Sequence, residues 1–255
     1  IYEKSKVEIS KKRIKQYYKN LGFLNVEVQS DTQKINNKKL ILKYLVKTNN
    51  KYLIDSITSS IESPELSNIY KKNKKFQKLK IGTAFEIKKF EQERERLFLL
   101  FRNNGFYNFQ QKSIQFTAEI DSTGQDLKIP VNIRIDNINK RVDDSIIKIP
   151  YSQYNVKDVE IYLEEIDSKN KNMQYTDSLS FENFKLYSKG KLKYRPNTII
   201  SGISIKKNNL YSDEDRNLTY RYFTNLKNFK YPSINYSLIS EEKKDLKAKI
   251  FLTPK

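Results

Sequence analysis

One pattern occurs three times along the 255 residues: an amphipathic helical stretch, a corner of Gly or Asn followed by Phe, then two alternating strands. Repetition at this spacing limits the chain to an array of small supersecondary units. In the first copy Ile14, Tyr17, Tyr18 and Leu21 fall at i, i+3, i+4 and i+7, one face of a helix. Gly22 stands where a left-handed cap is wanted, and strands near 24–30 and 38–47 follow. In the second copy the stripe is Phe90, Arg94, Leu97, Phe98 and Phe101, with the Arg94 stem lying along it. Gly105 repeats the role of Gly22. Ile114, Phe116, Ala118 and Ile120 then alternate with polar residues, as do Leu127, Ile129, Val131, Ile133 and Ile135, which describes a half-buried hairpin turning through Asp121, Ser122, Thr123 and Gly124. Pro130 lies mid-strand, so either its position faces away from a partner or a bulge sits there. The third copy places Leu218, Tyr222, Leu226 and Phe229 on the stripe, after the acidic start Asp213, Glu214 and Asp215. Its strands run through Ile234, Tyr236 and Leu238, then Leu246, Ala248, Ile250 and Leu252.

Copies two and three share an earlier strand: Tyr52, Ile54 and Ile57 match Tyr154, Val156 and Val159. Each strand leads to a further helix opened by proline, from Pro64 to about Lys75 and from Pro196 to about Ile205. The full unit is therefore βααββ, an α+β fold of about 75–90 residues with a small mixed sheet covered on one face by two helices. Copy one lacks its first strand and helix. The expected organisation is a partial unit over 1–49, a complete one over 50–137, a polar linker over 138–150, and a last unit over 151–255. That last unit carries a hairpin insertion at about 160–194, running through Leu179–Leu186.

The net charge is +19, mostly from Lys, with 31% charged residues. Such a field attracts anionic partners, but Arg, which reads phosphate and base edges in bidentate fashion, is scarce. Cys and His are absent, which removes thiol nucleophiles, disulfides and His-dependent triads. Glu91, Glu93 and Glu95 are clustered acids, but Arg94 and Arg96 interleave with them, and a solvated ion-paired helix face is the expectation. No cofactor, metal site or catalytic residue is assigned.

The order βααββ with an LxxxG[FY] corner resembles the POTRA (polypeptide-transport-associated) domains of the BamA/TamA superfamily. Several stretches are most similar to the TamA-like outer-membrane proteins of Bacteroidetes. They are Tyr52 to Ile57, the run Ile81-Gly82-Thr83-Ala84-Phe85-Glu86, Glu93 to Leu97, Asn103 to Phe109, Arg195-Pro196 and Leu210-Tyr211-Ser212. Where the family carries Gly before the Leu-Tyr pair this chain has Asn208-Asn209, and Asn also tolerates the left-handed conformation. The resemblance implies an extended array on the periplasmic side of the outer membrane, ahead of a membrane β-barrel that would begin about where Thr253-Pro254-Lys255 ends. It implies, as partners, nascent outer-membrane or surface proteins and envelope proteins.

A three-stranded sheet leaves two edges, and an open edge offers unpaired N–H and C=O groups to an added strand. The second strand of each hairpin is expected to be central, leaving the first strands as edges. The candidate partner-binding residues are thus Ile114, Gln115, Phe116, Thr117 and Ala118, with Ile234, Asn235, Tyr236, Ser237 and Leu238. Gln115, Thr117 and Tyr236 are expected on the outward-bonding register. The competing reading is a basic nucleic-acid-binding module in which Tyr107, Phe109, Phe116 and Tyr236 stack on bases.

Overall fold

The computed structural model describes residues 3–36, 39–121, 125–163 and 175–255. The expected turn residues Ser122, Thr123 and Gly124, and residues 164–174 of the insertion, lie outside the described residues. The chain divides into two compact units, one of residues 1–97 and 110–148, the other of residues 98–109 and 149–255.

In the first unit, helix α1 (Lys4–Asn20) precedes the antiparallel pair β1 (Glu27–Asn36) and β2 (Lys39–Lys47). Its predicted stripe is shallow: Val7 is buried, Ile14 and Tyr18 are half-buried, and Tyr17 is 61% exposed. Next come β3 (Leu53–Ile61), α2 (Pro64–Lys72), α3 (Ile87–Arg102, of which residues 98–102 count with the second unit), β4 (Gln115–Ala118) and β5 (Lys128–Ile135). The sheet order is β3-β5-β4, with β3 parallel and β4 antiparallel to β5. One face of β3 and β5 gives Ile54, Ile129 and Val131 to a core with Tyr52, Leu79, Phe85 and Phe90. The α3 stripe is buried at Phe90 and Leu97. A register shift between Ile54 and Ser56 of β3 falls opposite Pro130, so a bulge does lie beside the mid-strand proline, one of the two arrangements expected for it.

Two expectations change in this unit. Glu93 is fully buried rather than solvated. Its carboxylate accepts from the Lys78 backbone N–H at 2.7 Å and from Arg96 at 2.6 and 2.9 Å, which offsets the cost of burying the charge. Residues 138–149, expected as linker, form a hairpin of β6 (Ile138–Val142) and β7 (Ser145–Ile149). Asp143 turns it with φ +53, a conformation Asp tolerates. Glu62 fixes its base by accepting from the Asn137 N–H and from Lys148, both at 2.7 Å.

The second unit holds β8 (Asn155–Leu163), β9 (Asp177–Phe181), β10 (Phe184–Ser188), α4 (Pro196–Ile200), α5 (Asp213–Leu226), β11 (Phe229–Ser240) and β12 (Asp245–Pro254). Its sheet order is β11-β12-β8-β10-β9, with β12 and β10 both parallel to β8. Ile161, Ile250, Leu252 and Leu186 face Ile199, Ile203 and Phe223 in the core. Helix α4 stops at Ile200, short of the expected Ile205. Two residues on, the Tyr222 ring lies where a Gly202 side chain would be, so the chain turns there with no room for one. The α5 stripe is rotated from the expected one: Leu218 is 42% exposed, while Thr219 and Phe223 are fully buried. Thr219 can be buried because its hydroxyl accepts from the Ser204 N–H (3.0 Å) and donates to the Asp215 carbonyl (2.8 Å). Phe229 belongs to β11 and not to the helix.

The repeat extends to single hydrogen bonds. The Tyr52 N–H donates to the Gly22 carbonyl at 2.9 Å in the first unit, and Tyr154 N–H to Gly105 at 2.8 Å in the second. The Tyr52 carbonyl accepts from Phe85 N–H, and the Tyr154 carbonyl from Tyr211 N–H, both at 2.9 Å. Asn25 donates to the Tyr52 hydroxyl at 2.8 Å and Asn108 to the Tyr154 hydroxyl at 2.6 Å. Gly82 at φ +77 is matched by Asn208 at φ +64, so Asn does take the left-handed role here.

Candidate partner-binding edges

A strand can accept another only through groups its own sheet leaves free, so the register decides which residues matter. In β5 the Leu127 and Ile135 carbonyls accept from Leu53 N–H (2.8 Å) and Glu62 N–H (3.0 Å) of the β3 side. Odd-numbered positions of β5 therefore serve β3, and even-numbered ones serve β4. The Pro130 carbonyl accordingly accepts from Glu119 N–H at 3.4 Å. Through the pairs Gln115 with Arg134 and Thr117 with Asn132, Gln115 and Thr117 bond inward. The backbone groups of Phe116 and Ala118 face the open edge. The expectation that Gln115 and Thr117 bond outward is thus corrected.

Strand β11 follows the same logic. Asn155 N–H donates to the Lys244 carbonyl at 3.0 Å and Lys255 N–H to Asn228 at 3.1 Å, so even positions of β12 serve β8 and odd ones serve β11. Asn235 and Ser237, paired with Lys249 and Lys247, bond inward. Ile234, Tyr236 and Leu238 present their backbone to the edge, as expected for Tyr236. Both β4 and β11 end their sheets.

The side chains are divided between core and solvent. Ile114 and Ile234 are buried, Gln115, Thr117 and Asn235 are exposed, Ala118 and Ser237 are half-buried, and Leu238 is 48% exposed. Phe116 meets Phe90 edge to face at 5.2 Å, and the Arg94 guanidinium lies over it at 5.2 Å. Tyr236 packs within 5.0 Å of Tyr211 and 5.8 Å of Tyr107. Burial raises its hydroxyl pKa well above the ordinary value. Phe109 is buried against Phe101. The aromatics that base stacking would need are therefore engaged in packing.

Residues 1–49 match the family model of POTRA, described as surface antigen variable number repeat. BamA from Haemophilus ducreyi lacking POTRA domains 1–3 is similar at TM-score 0.53 and 9% identity, over 80% of this chain and 30% of that one. The chain has the fold of tandem POTRA domains. Haemophilus influenzae BamA POTRA3–5 is also similar, at TM-score 0.47 and 11% identity over 99% of this chain and 82% of that one. The N-terminal domain of Omp85 from Thermosynechococcus elongatus matches at TM-score 0.34 and 10% identity, over 100% and 85%. No curated protein matches the chain. No described helix is long and apolar enough to cross a membrane.

One cluster in the second POTRA unit is not legible in the repeat. Arg102, in the last turn of α3, grips Asp213 through two bonds of 2.8 Å. It also donates to the Tyr107 carbonyl and the Tyr211 hydroxyl, and its guanidinium lies 4.7 Å from the Tyr211 ring centre. The Tyr211 hydroxyl donates to Asp213. Desolvation pushes the Asp213 carboxyl up, but the bonds from Arg102 and Tyr211 outweigh it and hold its pKa below 3.8. Burial and the bond to Asp213 raise Tyr211. The Asn103 side chain adds an acceptor for the Glu214 N–H at 3.0 Å, where the first turn of α5 needs one. This cluster clamps the POTRA corner at 103–109 rather than forming a chemical site. The sequence marks only one side of it, Leu210-Tyr211-Ser212 ahead of the acidic start at Asp213, and nothing there points to Arg102.

Proposed function

We propose that this chain is part of the periplasmic scaffold of an outer-membrane assembly or translocation protein of the BamA/TamA superfamily, of the TamA-like kind found in Bacteroidetes. It acts without a catalytic step, ahead of a barrel in the outer membrane, and holds client or envelope partner proteins by strand addition. The observation that carries this reading is the pair of terminal strands β4 and β11, whose Phe116, Ala118, Ile234, Tyr236 and Leu238 backbone groups face away from their sheets. The POTRA fold supports the placement. Affinity carried by backbone groups tolerates varied clients, because every chain offers the same donors and acceptors.

Ala118→Pro and Leu238→Pro test the reading, since each removes one outward N–H and no ladder bond. Both variants should fold and lose capture of envelope proteins in crosslinking from cells. Thr117→Pro, on the inward register, should instead destabilise the first unit by roughly 2–3 kcal/mol. Capture that survives both outward prolines would refute strand addition at these edges.

A further inference from the structure

The two units share a strand that is treated differently in each. Strand β3 and strand β8 carry the same bulge: the register against the parallel neighbour shifts between Ile54 and Ser56 in one, and at the matching rung, between Leu246 and Lys247 of β12, in the other. Ahead of the bulge both outer edges are closed alike. Ile54 exchanges bonds with Thr83 and Gly82 at 2.9 and 2.7 Å, and Val156 with Asn209 and Asn208 at 2.8 and 2.7 Å. Beyond the bulge they part. In the second unit β10 adds in parallel along β8, pairing Phe184 with Val159, Leu186 with Ile161 and Ser188 with Leu163. In the first unit the matching stretch, residues 57–61, ends the sheet.

The exposed stretch beyond the bulge carries neither of the residue-level protections of a strand edge, a charge or a proline. Glu62 N–H bonds inward to Ile135, so by alternation Ile57, Ser59 and Ile61 turn their backbone groups outward. These are the equivalents of Val159, Ile161 and Leu163, which face β10. Edges are blunted by Lys, Pro, bulges or brevity. Residues 57–61 hold no charge and no Pro, and pair with β5 in unbroken register. Thr58, Ser59 and Ser60 are exposed, where Glu160 is 4% and Ile161 0% exposed beneath β10.

We propose that the edge of β3 from Ile57 to Ile61 is a second docking site, which takes an extended polypeptide segment in parallel orientation. The segment resembles β10 in having apolar residues at alternate positions. Lys185 of β10 lies opposite Glu160, and the equivalent of Glu160 is the uncharged Thr58, so no charge is demanded there. The site stands on the comparison of the two units and is independent of the edges at β4 and β11.

The probe is a synthetic peptide of residues 183–189, Asn-Phe-Lys-Leu-Tyr-Ser-Lys, added to the full isotope-labelled chain, with amide exchange followed residue by residue. The tethered β10 keeps its own place by effective concentration. The Ile57, Ser59 and Ile61 amides should slow by at least ~10-fold at saturating peptide, and a scrambled peptide should leave them unchanged. Two further peptides, N-methylated on alternate sets of residues, test the bonding without altering the protein. One set should abolish the effect and the other should not. The proposal is overturned if these amides do not slow at millimolar peptide, or if slowing appears only at β4 and β11. It is also overturned if both methylated peptides act alike, or if a second copy of the chain already protects the three amides.

Discussion

The Arg102–Asp213 pair gives the sharpest quantitative expectation. The two side chains are 16% and 15% exposed and joined by two bonds of 2.8 Å. Asp213→Asn removes the negative charge and leaves Arg102 in an enclosed position with only neutral partners. Removing one member of a buried pair costs about 3–5 kcal/mol. The residual exposure places this one near the lower end, about 3 kcal/mol, or a loss of ~10 °C in the melting of the second unit. Because the folded carboxyl pKa lies below 3.8, the unfolded chain binds more protons there. The pair's contribution is therefore full only above the unfolded carboxylate range, begins to fall as the pH enters that range, and is lost as pH falls through the folded pKa. Scanning calorimetry from pH 7 to pH 3 on wild type and variant should show the gap narrowing as the pH falls through the carboxylate range. The double variant Arg102→Met with Asp213→Leu should lose less than the two single variants summed, because neither charge is left behind. Equal melting of wild type and Asp213→Asn at pH 7, or a gap that persists unchanged at pH 3, would refute the account of the clamp.

Gly105 has φ +94, and an added Cβ would come within 3.1 Å of both Gln153 and Leu210. Gly105→Ala should cost about 1–2 kcal/mol in urea unfolding, and a variant as stable as wild type would contradict the left-handed corner. Glu93→Ala strips the Lys78 N–H and Arg96 of their buried acceptor, and should cost about 2–3 kcal/mol in the same assay. An effect below 0.5 kcal/mol, the range of ordinary surface changes, would mean the carboxylate is dispensable.

What could be read from the sequence was whatever rests on period. Alternation in Leu127–Ile135 and Leu246–Leu252 marks strands buried on one face, and both lie inside their sheets with a partner on each side. Gly22 and Gly105 were visible because a left-handed corner needs a residue without a side chain. The hairpin at 138–149 was misread because its residues are almost all exposed. Exposed strands lose the apolar alternation that identifies them, and Asn139, Lys140 and Arg141 then resemble a linker. The phase of α5 was misjudged by one residue because a hydrophobic count ranks Leu218 above Thr219. The helix turns the other way because Thr219 finds two hydrogen bonds inside. The Arg102–Asp213 pair joins residues far apart in the chain, and no local pattern reports such a pair. The edge register failed at Gln115 and Thr117 because side-chain alternation says which face a residue occupies. It does not say which way its N–H points.

The features that recur between the two units are mostly backbone bonds, and this bears on how the fold persists while the sequence drifts. Tyr52 to Gly22 and Tyr154 to Gly105, or Gly82 to Ile54 and Asn208 to Val156, are held by N–H and C=O groups that any residue supplies. Side chains are constrained where the backbone must adopt positive φ, as at Gly82 and Asn208, where a core is filled, or where a hydroxyl is held, as by Asn25 and Asn108. A fold so held can share 9% identity with its structural relative and still keep its corners. The same property suits an edge that receives other chains. A strand that binds through its backbone imposes alternation on its occupant but little sequence, so the restraint that lets the POTRA unit diverge is also the one that lets its partners differ.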